Sequence, residues 1–248
     1  MKKVNTTANA VIIVIGNEIL SGRTQDINVS FLSKWLNDLG VKVTEVRIIE
    51  DNEDSIVKNI NELKNKFKYI FTTGGIGPTH DDITSKSIAK AFNKKYGFHK
   101  EAYEILEKYY TSGKFNEGRK KMAKMPEGAK LIYNPSSGAP GFIVKNVFCL
   151  PGVPSILQSM VRALNNKIKG GKKILSKTIT LRTVESEIAV PLEKIQNIYK
   201  GVEIGSYPFF KQGKVGVSIV LRSTEQNLIF ECYEDIKDFI KKKKIETI

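Results

Sequence analysis

The order in which two kinds of hydrophobic periodicity alternate along this chain constrains its fold more than any other feature. Val11-Ile12-Ile13-Val14-Ile15 is a continuous apolar run of strand length, and Val29, Phe31, Leu32, Trp35, Leu36 and Leu39 then recur at helical spacing until Gly40. Residues 41–49 alternate as a strand, a helix is predicted from Asp54 through Ile56, Ile60, Leu63 and Phe67, and residues 69–73 make a third strand. Strands separated by helices predict a parallel sheet wrapped on both faces. The expected fold class is therefore α/β, a doubly wound and mostly parallel sheet.

Farther along, Thr84 is placed to cap a helix carrying Ile88, Ala89 and Phe92, and residues 103–110 read as another helix. Two short strands, 142–144 and 147–150, lead through Pro151-Gly152-Val153-Pro154 to a helix over 156–164. Lys169-Gly170-Gly171-Lys172 reads as a linker, because adjacent glycines between charges offer little to bury. Beyond it the order is strand (174–181), helix (185–199), strand (202–207), strand (215–221) and helix (228–240), which suits a smaller C-terminal α+β domain. The expected domains are 1–168 and 172–248.

Composition narrows the function classes. Forty basic against 26 acidic residues leave a formal charge of +14, yet the lysines are scattered and no basic motif is interleaved with aromatics. No specific nucleic-acid partner is expected; anionic small ligands are. The run Lys241-Lys242-Lys243-Lys244 suits the negative end of a helix dipole. No apolar run approaches the ~20 residues of a membrane span, so no membrane partner is expected. Met1-Lys2-Lys3 followed by residues 11–15 imitates a secretory signal, but the apolar run is short and continues into Gly16-Asn17-Glu18. A first strand and a cytoplasmic protein are the reading. Cys149 and Cys232 have apolar neighbours and look like small buried hydrophobes, and with only His80 and His99 available a zinc site of the Cys/His type is all but excluded.

The chemistry should lie where the strands end. In an open parallel sheet ligands bind beyond the carboxyl ends of the strands, where the loops after Ile15 and Thr73 both fall. The second of these loops reads Gly74-Gly75-Ile76-Gly77-Pro78-Thr79-His80-Asp81-Asp82. Gly74, Gly75 and Gly77 allow close backbone approach, so that amides can converge on an anion. Asp81 and Asp82 would repel a bare phosphate, and they make sense beside such a cradle if a divalent metal cation, of unknown identity, bridges carboxylate and phosphate oxygens. The bland alternative is a tight turn in which one Asp caps the next helix. His80 reads as a solvent-facing loop residue. Asn134, Ser136 and Ser137 in a proline-rich loop are either ligand contacts or plain turn residues. Tyr207, Phe209 and Phe210 around Pro208 either stack on a heterocycle or belong to a core.

Several segments together resemble the molybdopterin-binding fold of the MoaB/MogA type. Within it they resemble more closely the competence/damage-inducible protein A family and the N-terminal domain of eukaryotic FAD synthase. Gly16-Asn17-Glu18-Ile19-Leu20 with Asn28 resembles that family's GDEIL…N segment, and Thr73 through Thr84 its TGGxGPTxDDxT signature. Ala139-Pro140-Gly141-Phe142, Pro151-Gly152-Val153-Pro154 and Ile204-Gly205-Ser206-Tyr207-Pro208 match further stretches, so the resemblance covers nearly the whole chain. It implies a metal-assisted nucleotide pyrophosphatase acting on FAD or ADP-ribose. Its alternatives are pterin adenylyl transfer, or a non-catalytic module that binds a pterin or a nucleotide. Asp81, Asp82 and Glu18 become the candidate catalytic groups. Gly16, Asn28, Gly74, Gly75, Gly77, Thr84, Asn134, Ser136 and Gly152 become ligand contacts, and Asp81, Asp82 and Asn17 metal ligands. A symmetric homo-oligomer is an ordinary expectation. Three positions depart from the family: Asn17 stands for its usual Asp, Lys86 for Glu, and Ile156 for Glu, each removing negative charge near the expected metal.

Overall fold

A computed structural model describes residues 8–111, 113–211 and 213–248; the basic start at Met1, Lys2 and Lys3 lies outside them. The chain divides into two compact units, Met1–Gly171 and Lys172–Ile248. In the first, strands β1 (Ala8–Ile15), β2 (Val41–Ile49) and β3 (Tyr69–Thr73) alternate with a helical turn α1 (Asn17–Leu20) and helices α2 (Asn28–Asp38) and α3 (Glu53–Leu63). Helix α4 (Thr84–Ala91), strand β4 (Tyr96–Phe98), helices α5 (Lys100–Tyr109) and α6 (Glu117–Lys121), and strand β5 (Lys124–Pro126) follow. Strands β6 (Lys130–Ile132), β7 (Gly141–Val144) and β8 (Val147–Leu150) and helix α7 (Pro154–Val161) complete the unit.

The large sheet has the order β2-β1-β3-β8-β7-β6. Strands β2, β1, β3 and β8 are parallel, and β7 runs antiparallel to both of its neighbours. The mostly parallel, doubly wound sheet expected from the sequence is present. Alternation along β1 explains the two faces: Val11, Ile13 and Ile15 pack with Ile56, Ile60 and Leu63 of α3, while Ala10, Ile12 and Val14 pack with Leu32 and Leu36 of α2. An interior strand covered on both sides reads as an unbroken apolar run. Edge strand β2 alternates between half-buried and exposed instead, leaving Val46 and Ile48 open to solvent. Phe71 lies at the centre of the α2 face, stacked on Phe148 at 4.9 Å and edge-on to Trp35 at 5.8 Å.

Several boundaries differ from expectation for local reasons. Helix α3 starts one residue earlier, because Asn52 caps it by accepting the Ser55 N–H at 3.1 Å, and it ends at Leu63, short of Phe67. Thr84 does not cap α4: Ile83 is the N-cap, and the Thr84 hydroxyl donates to the Gly74 carbonyl at 3.0 Å. Strands β4, β5 and β6 are three residues each, too short for any periodicity to reveal. The glycine-broken segment is no loose linker up to Gly171. The Lys169 amide donates to the Tyr69 hydroxyl at 2.8 Å, and the Gly171 amide donates to the Gly40 carbonyl at 2.9 Å.

The second unit contains β9 (Leu175–Leu181), α8 (Glu185–Ile198), β10 (Glu203–Lys211), β11 (Lys214–Ser223) and α9 (Gln226–Lys243), with an antiparallel sheet ordered β10-β11-β9. It is the small α+β domain expected. Ile179, Leu181, Val217, Ile219 and Leu221 pack against Ile188, Ile229 and Ile236 of its helices. Strand β10 runs four residues beyond the expected end and passes through Pro208, which an edge strand tolerates because its missing N–H faces no neighbour. Tyr207 and Phe210 are exposed rather than core. Both cysteines are free and buried, and desolvation pushes the Cys149 thiol up to about 12 and the Cys232 thiol to about 11. Phe71→Ala should destabilise the first unit by about 3–5 kcal/mol. Urea unfolding followed through Trp35, the chain's single tryptophan, reads that loss as an earlier midpoint.

Candidate functional site

After β1 the chain first adds β2 on one side and then β3 on the other, so the sheet order reverses between β1 and β3. That reversal opens a crevice at the carboxyl ends of the strands. Here it is a cleft of about 510 Å³, within the usual range for small-molecule sites. Its walls come from the ends of four strands: Glu18 after β1, Asp51 after β2, Gly74 through Pro78 with Asp81 and Asp82 after β3, and Pro151 through Pro154 after β8.

The glycine loop is held by close contact and hydrogen bonds. Gly74 has φ of 102° and Gly75 of 67°, in the region that favours glycine. A side chain at Gly74 would collide with the Ile15 carbonyl, and one at Gly75 with the Thr84 hydroxyl. The Gly74 amide donates to the Leu150 carbonyl at 3.0 Å, and the Thr84 amide to the Gly75 carbonyl at 2.9 Å. Among the described residues, the amides of Gly75, Ile76 and Gly77 donate to no protein acceptor. Three free donors on a rigid loop in an open cleft are what an anion cradle requires.

The acids stand around this cradle in distinct settings. Asp82 accepts from the Thr79 amide at 2.7 Å and from the Thr79 hydroxyl at 2.5 Å, and the absence of a side chain at Gly77 leaves room for its carboxylate. Asp82 thus closes its own turn, and α4 has no side-chain cap. The exposed Asp81 carboxyl is held below its usual range, first by the Thr79 hydroxyl, whose one proton it shares with Asp82, and then by its own backbone amide, with His80 and Lys121 adding to this. Lys121 of α6 also donates to the Thr79 carbonyl, a support for the loop that the sequence did not announce.

Asp51 is the main residue missed by sequence reasoning. Its carboxylate accepts the Asn17 amide at 2.8 Å, and its own amide donates to the Asn17 side-chain oxygen at 3.4 Å. Burial pushes its pKa up; the Asn17 N–H opposes this, and the charges of Glu18, Asp81 and Asp82 add to the rise. A carboxylate two residues past the expected end of a strand neighbouring β1 was a legible signal: register pairs Ile49 with Ile15, and so puts the Asp51 loop beside the Glu18 loop.

Of the other expected residues, Gly152 lines the cleft and accepts the Asn28 side-chain amide at 2.8 Å on its carbonyl. Glu18 and Asn28 line a smaller recess that adjoins the cleft. Gly16 is buried at the end of β1, and a side chain there would strike the Glu18 carboxylate. Asn17 does not line the cleft; its side chain turns to the Asp51 backbone. Thr84 is fully buried under the loop as a brace. Asn134 and Ser136 lie outside both hollows: the Asn134 side chain is occupied by Ser136, Ser137 and Ala139, and the Ser136 hydroxyl donates to Ser159. His80 is exposed. Lys86 points to Glu53, with an ion pair of 2.9 Å, and Ile156 packs on the α2 face of the sheet.

Among the described residues, no group of three or more His, Cys, Asp or Glu side chains is arranged to hold a metal ion. The acids of the cleft therefore fit a divalent cation only in a shared mode, with one or two carboxylates on one side and the phosphates of a ligand on the other, as Mg²⁺ is commonly held.

The chain belongs to a known family. Residues 11–169 match the family described as Probable molybdopterin binding domain, and the chain is a member of that family. Residues 173–248 match the middle domain of FAD synthase. A protein of Archaeoglobus fulgidus is 34% identical over 216 residues, 87% of this chain and 92% of that one. A Clostridium botulinum protein named as competence-damage inducible is 30% identical across 93% of this chain, which spans only 59% of that protein's length. The crystal structure of the protein CinA, of unknown function, from Thermoplasma acidophilum is 31% identical, with a TM-score of 0.61 over 65% of this chain and 98% of that one. Among the described residues no helix is long and apolar enough to cross a membrane.

The Asp51 carboxyl gives a pH signature. Its folded pKa lies above the unfolded one, so between the two the folded state holds more protons and stability falls as pH rises. Asp51→Asn, which keeps an acceptor for the Asn17 amide, should raise the melting temperature at neutral pH and leave little difference near pH 4. Thermal melts of both proteins across that range check it.

Proposed function

We propose that this protein binds a nucleotide or pterin diphosphate in the cleft at the β1–β3 switch point and hydrolyses its phosphoanhydride bond with the help of a divalent cation. The observation that carries the reading is the pairing of three unsatisfied loop amides with four surrounding carboxylates, Glu18, Asp51, Asp81 and Asp82. The amides call for an anion, whereas the acids alone would repel one. Both demands are met by a phosphate chain that arrives with a cation. The family match to a molybdopterin-binding domain and to the middle domain of FAD synthase supports the ligand class.

In this reading the amides of residues 75–77 bind the phosphate oxygens and set the anhydride across the cleft. Asp81 and Asp82 would hold the cation, which would supply Lewis-acid stabilisation of the charge that builds up on the phosphate. Glu18 orients a water and accepts its proton as the water oxygen attacks one phosphorus. The bridging P–O bond breaks, and two phosphomonoesters leave. Thr79 fixes Asp82 by two hydrogen bonds, so its orientation is set before the substrate arrives.

Two observations favour a second reading, binding without turnover: Asp82 is already committed to Thr79, and Asn17 adds no charge at the cleft. Incubating the purified protein with FAD, ADP-ribose or coenzyme A, with and without divalent metal, separates the two. Mononucleotide products that depend on metal support hydrolysis; tight binding by calorimetry with no product supports the binding module. Where turnover is measured, Asp82→Asn should lower it by ~10²-fold or more with the fold retained by circular dichroism. Unchanged turnover at saturating metal would take Asp82 out of the mechanism.

A further inference from the structure

The acid pair of the cleft stands on an excursion from the fold. The Thr84 amide donates to the Gly75 carbonyl, so residues 76–83 leave the body of the unit and return to it at one place. Ile76 packs on the α3 face of the sheet, and the rest of the excursion is bonded mainly to itself: the Asp82 amide donates to the Thr79 carbonyl at 3.2 Å, and the Thr79 amide and hydroxyl donate to the Asp82 carboxylate. Among the described residues, the hydrogen bond that reaches residues 76–82 from another element is a single one, from the Lys121 ammonium to the Thr79 carbonyl.

Helix α6 is built to deliver that ammonium. The Asn116 side chain caps it by accepting the Arg119 N–H at 3.0 Å. The Arg119 guanidinium lies over the Tyr110 ring at 4.1 Å and donates to the Lys114 carbonyl, while Phe115 meets Tyr103 of α5 edge-on at 5.0 Å. These contacts hold α6 against α5. On its other side Gly118 faces the excursion, where a side chain would come within 3.2 Å of the Pro78 carbonyl oxygen. Lys121 is half-buried and does not line the cleft. Its charge-assisted bond to a carbonyl is among the stronger kinds, and it falls on the residue that orients Asp82.

We infer that Lys121 is a positioning residue of the cleft: from α6 it holds Thr79, and through Thr79 it sets the Asp82 carboxylate. What Asp82 then does rests on the nucleotide reading above. The inference adds that ligand affinity is set from a helix that forms none of the cleft walls.

The test uses the full chain and two measurements. Hydrogen–deuterium exchange of the free protein reads the brace without any ligand. Lys121→Met keeps the stem and removes the donor, and it should speed exchange of the peptide containing the Asp82 amide about 3- to 10-fold while β3 exchanges as in wild type. Lys121→Arg, which keeps donor and charge, should restore slow exchange. Calorimetry with ADP, ADP-ribose and FAD in the presence of Mg²⁺ reads the consequence. Lys121→Met and Thr79→Val should each weaken binding about 3- to 10-fold, and the double variant should lose no more than the larger single loss, because both act through the same turn. Wild-type exchange in Lys121→Met overturns the brace and leaves the nucleotide reading standing. Additive losses of affinity overturn it as well, since Lys121 would then act on the ligand by its own charge. If wild type binds none of the three compounds, the nucleotide reading falls and takes this inference with it, whatever the exchange shows.

Discussion

The contact on which the site depends is the close approach of Gly74 to the Ile15 carbonyl across two adjacent parallel strands. No side chain fits between these backbones. With the positive φ of Gly74 and Gly75 it forces the chain to turn sharply off β3, and the bonds to Leu150 and Thr84 then lock the turn between β8 and α4. Pinned on both flanks, the loop holds in place, before a ligand arrives, three cleft-lining residues whose amides have no protein acceptor. Preorganised donors of this kind are effective because their orientation is set by folding.

Charge is distributed around that loop with a clear logic. The chain as a whole is strongly basic, yet acids gather where the strand ends meet. Lysines near the site are turned to other work: Lys86 and Lys90 pair with Glu53 on the outer face of α3 and α4, and Lys121 braces the Thr79 carbonyl. What remains in the cleft is a negative wall facing a neutral row of amide donors. Such a wall is unfavourable for a free phosphate and favourable for a phosphate that carries a cation; burial raises the pKa of Asp51, and the neighbouring acids add to that rise. The departures from the family at residues 17 and 86 look different in this light. Asn17 tethers Asp51, which itself supplies a carboxylate to the cleft wall, and Lys86 faces away.

Much of the fold was legible because its signals are local. The apolar run at residues 11–15, the helical spacing from Val29 to Leu39 and the repeated strand–helix order are each properties of short windows, and a parallel sheet follows from them by chain connectivity. Three-residue strands such as β4, β5 and β6 carry too few residues for a period and became visible only through their partners. The same limit hid the role of Gly170 and Gly171, whose composition reads as a linker although Gly171 bonds to Gly40.

For the site, the sequence by itself determined which chemistry was present: a glycine turn and a pair of aspartates after a buried strand, and a glutamate after its neighbour. Residue type and spacing suffice there, since the turn needs glycine locally and the acids follow within a few positions. Only the tertiary structure decided which residues share the cleft. It brought in Asp51 from the end of β2 and moved Asn17 and Thr84 into supporting roles. It kept Asn134 and Ser136 within their own loop, and it left the Asn28 side-chain oxygen and the Thr73 hydroxyl buried without a partner. The physical reason is that hydrogen-bond satisfaction is a property of the whole packed surroundings. An Asn or Thr in a sequence is equally able to brace a turn or await a ligand, and what separates the two is which neighbours the sheet brings within reach.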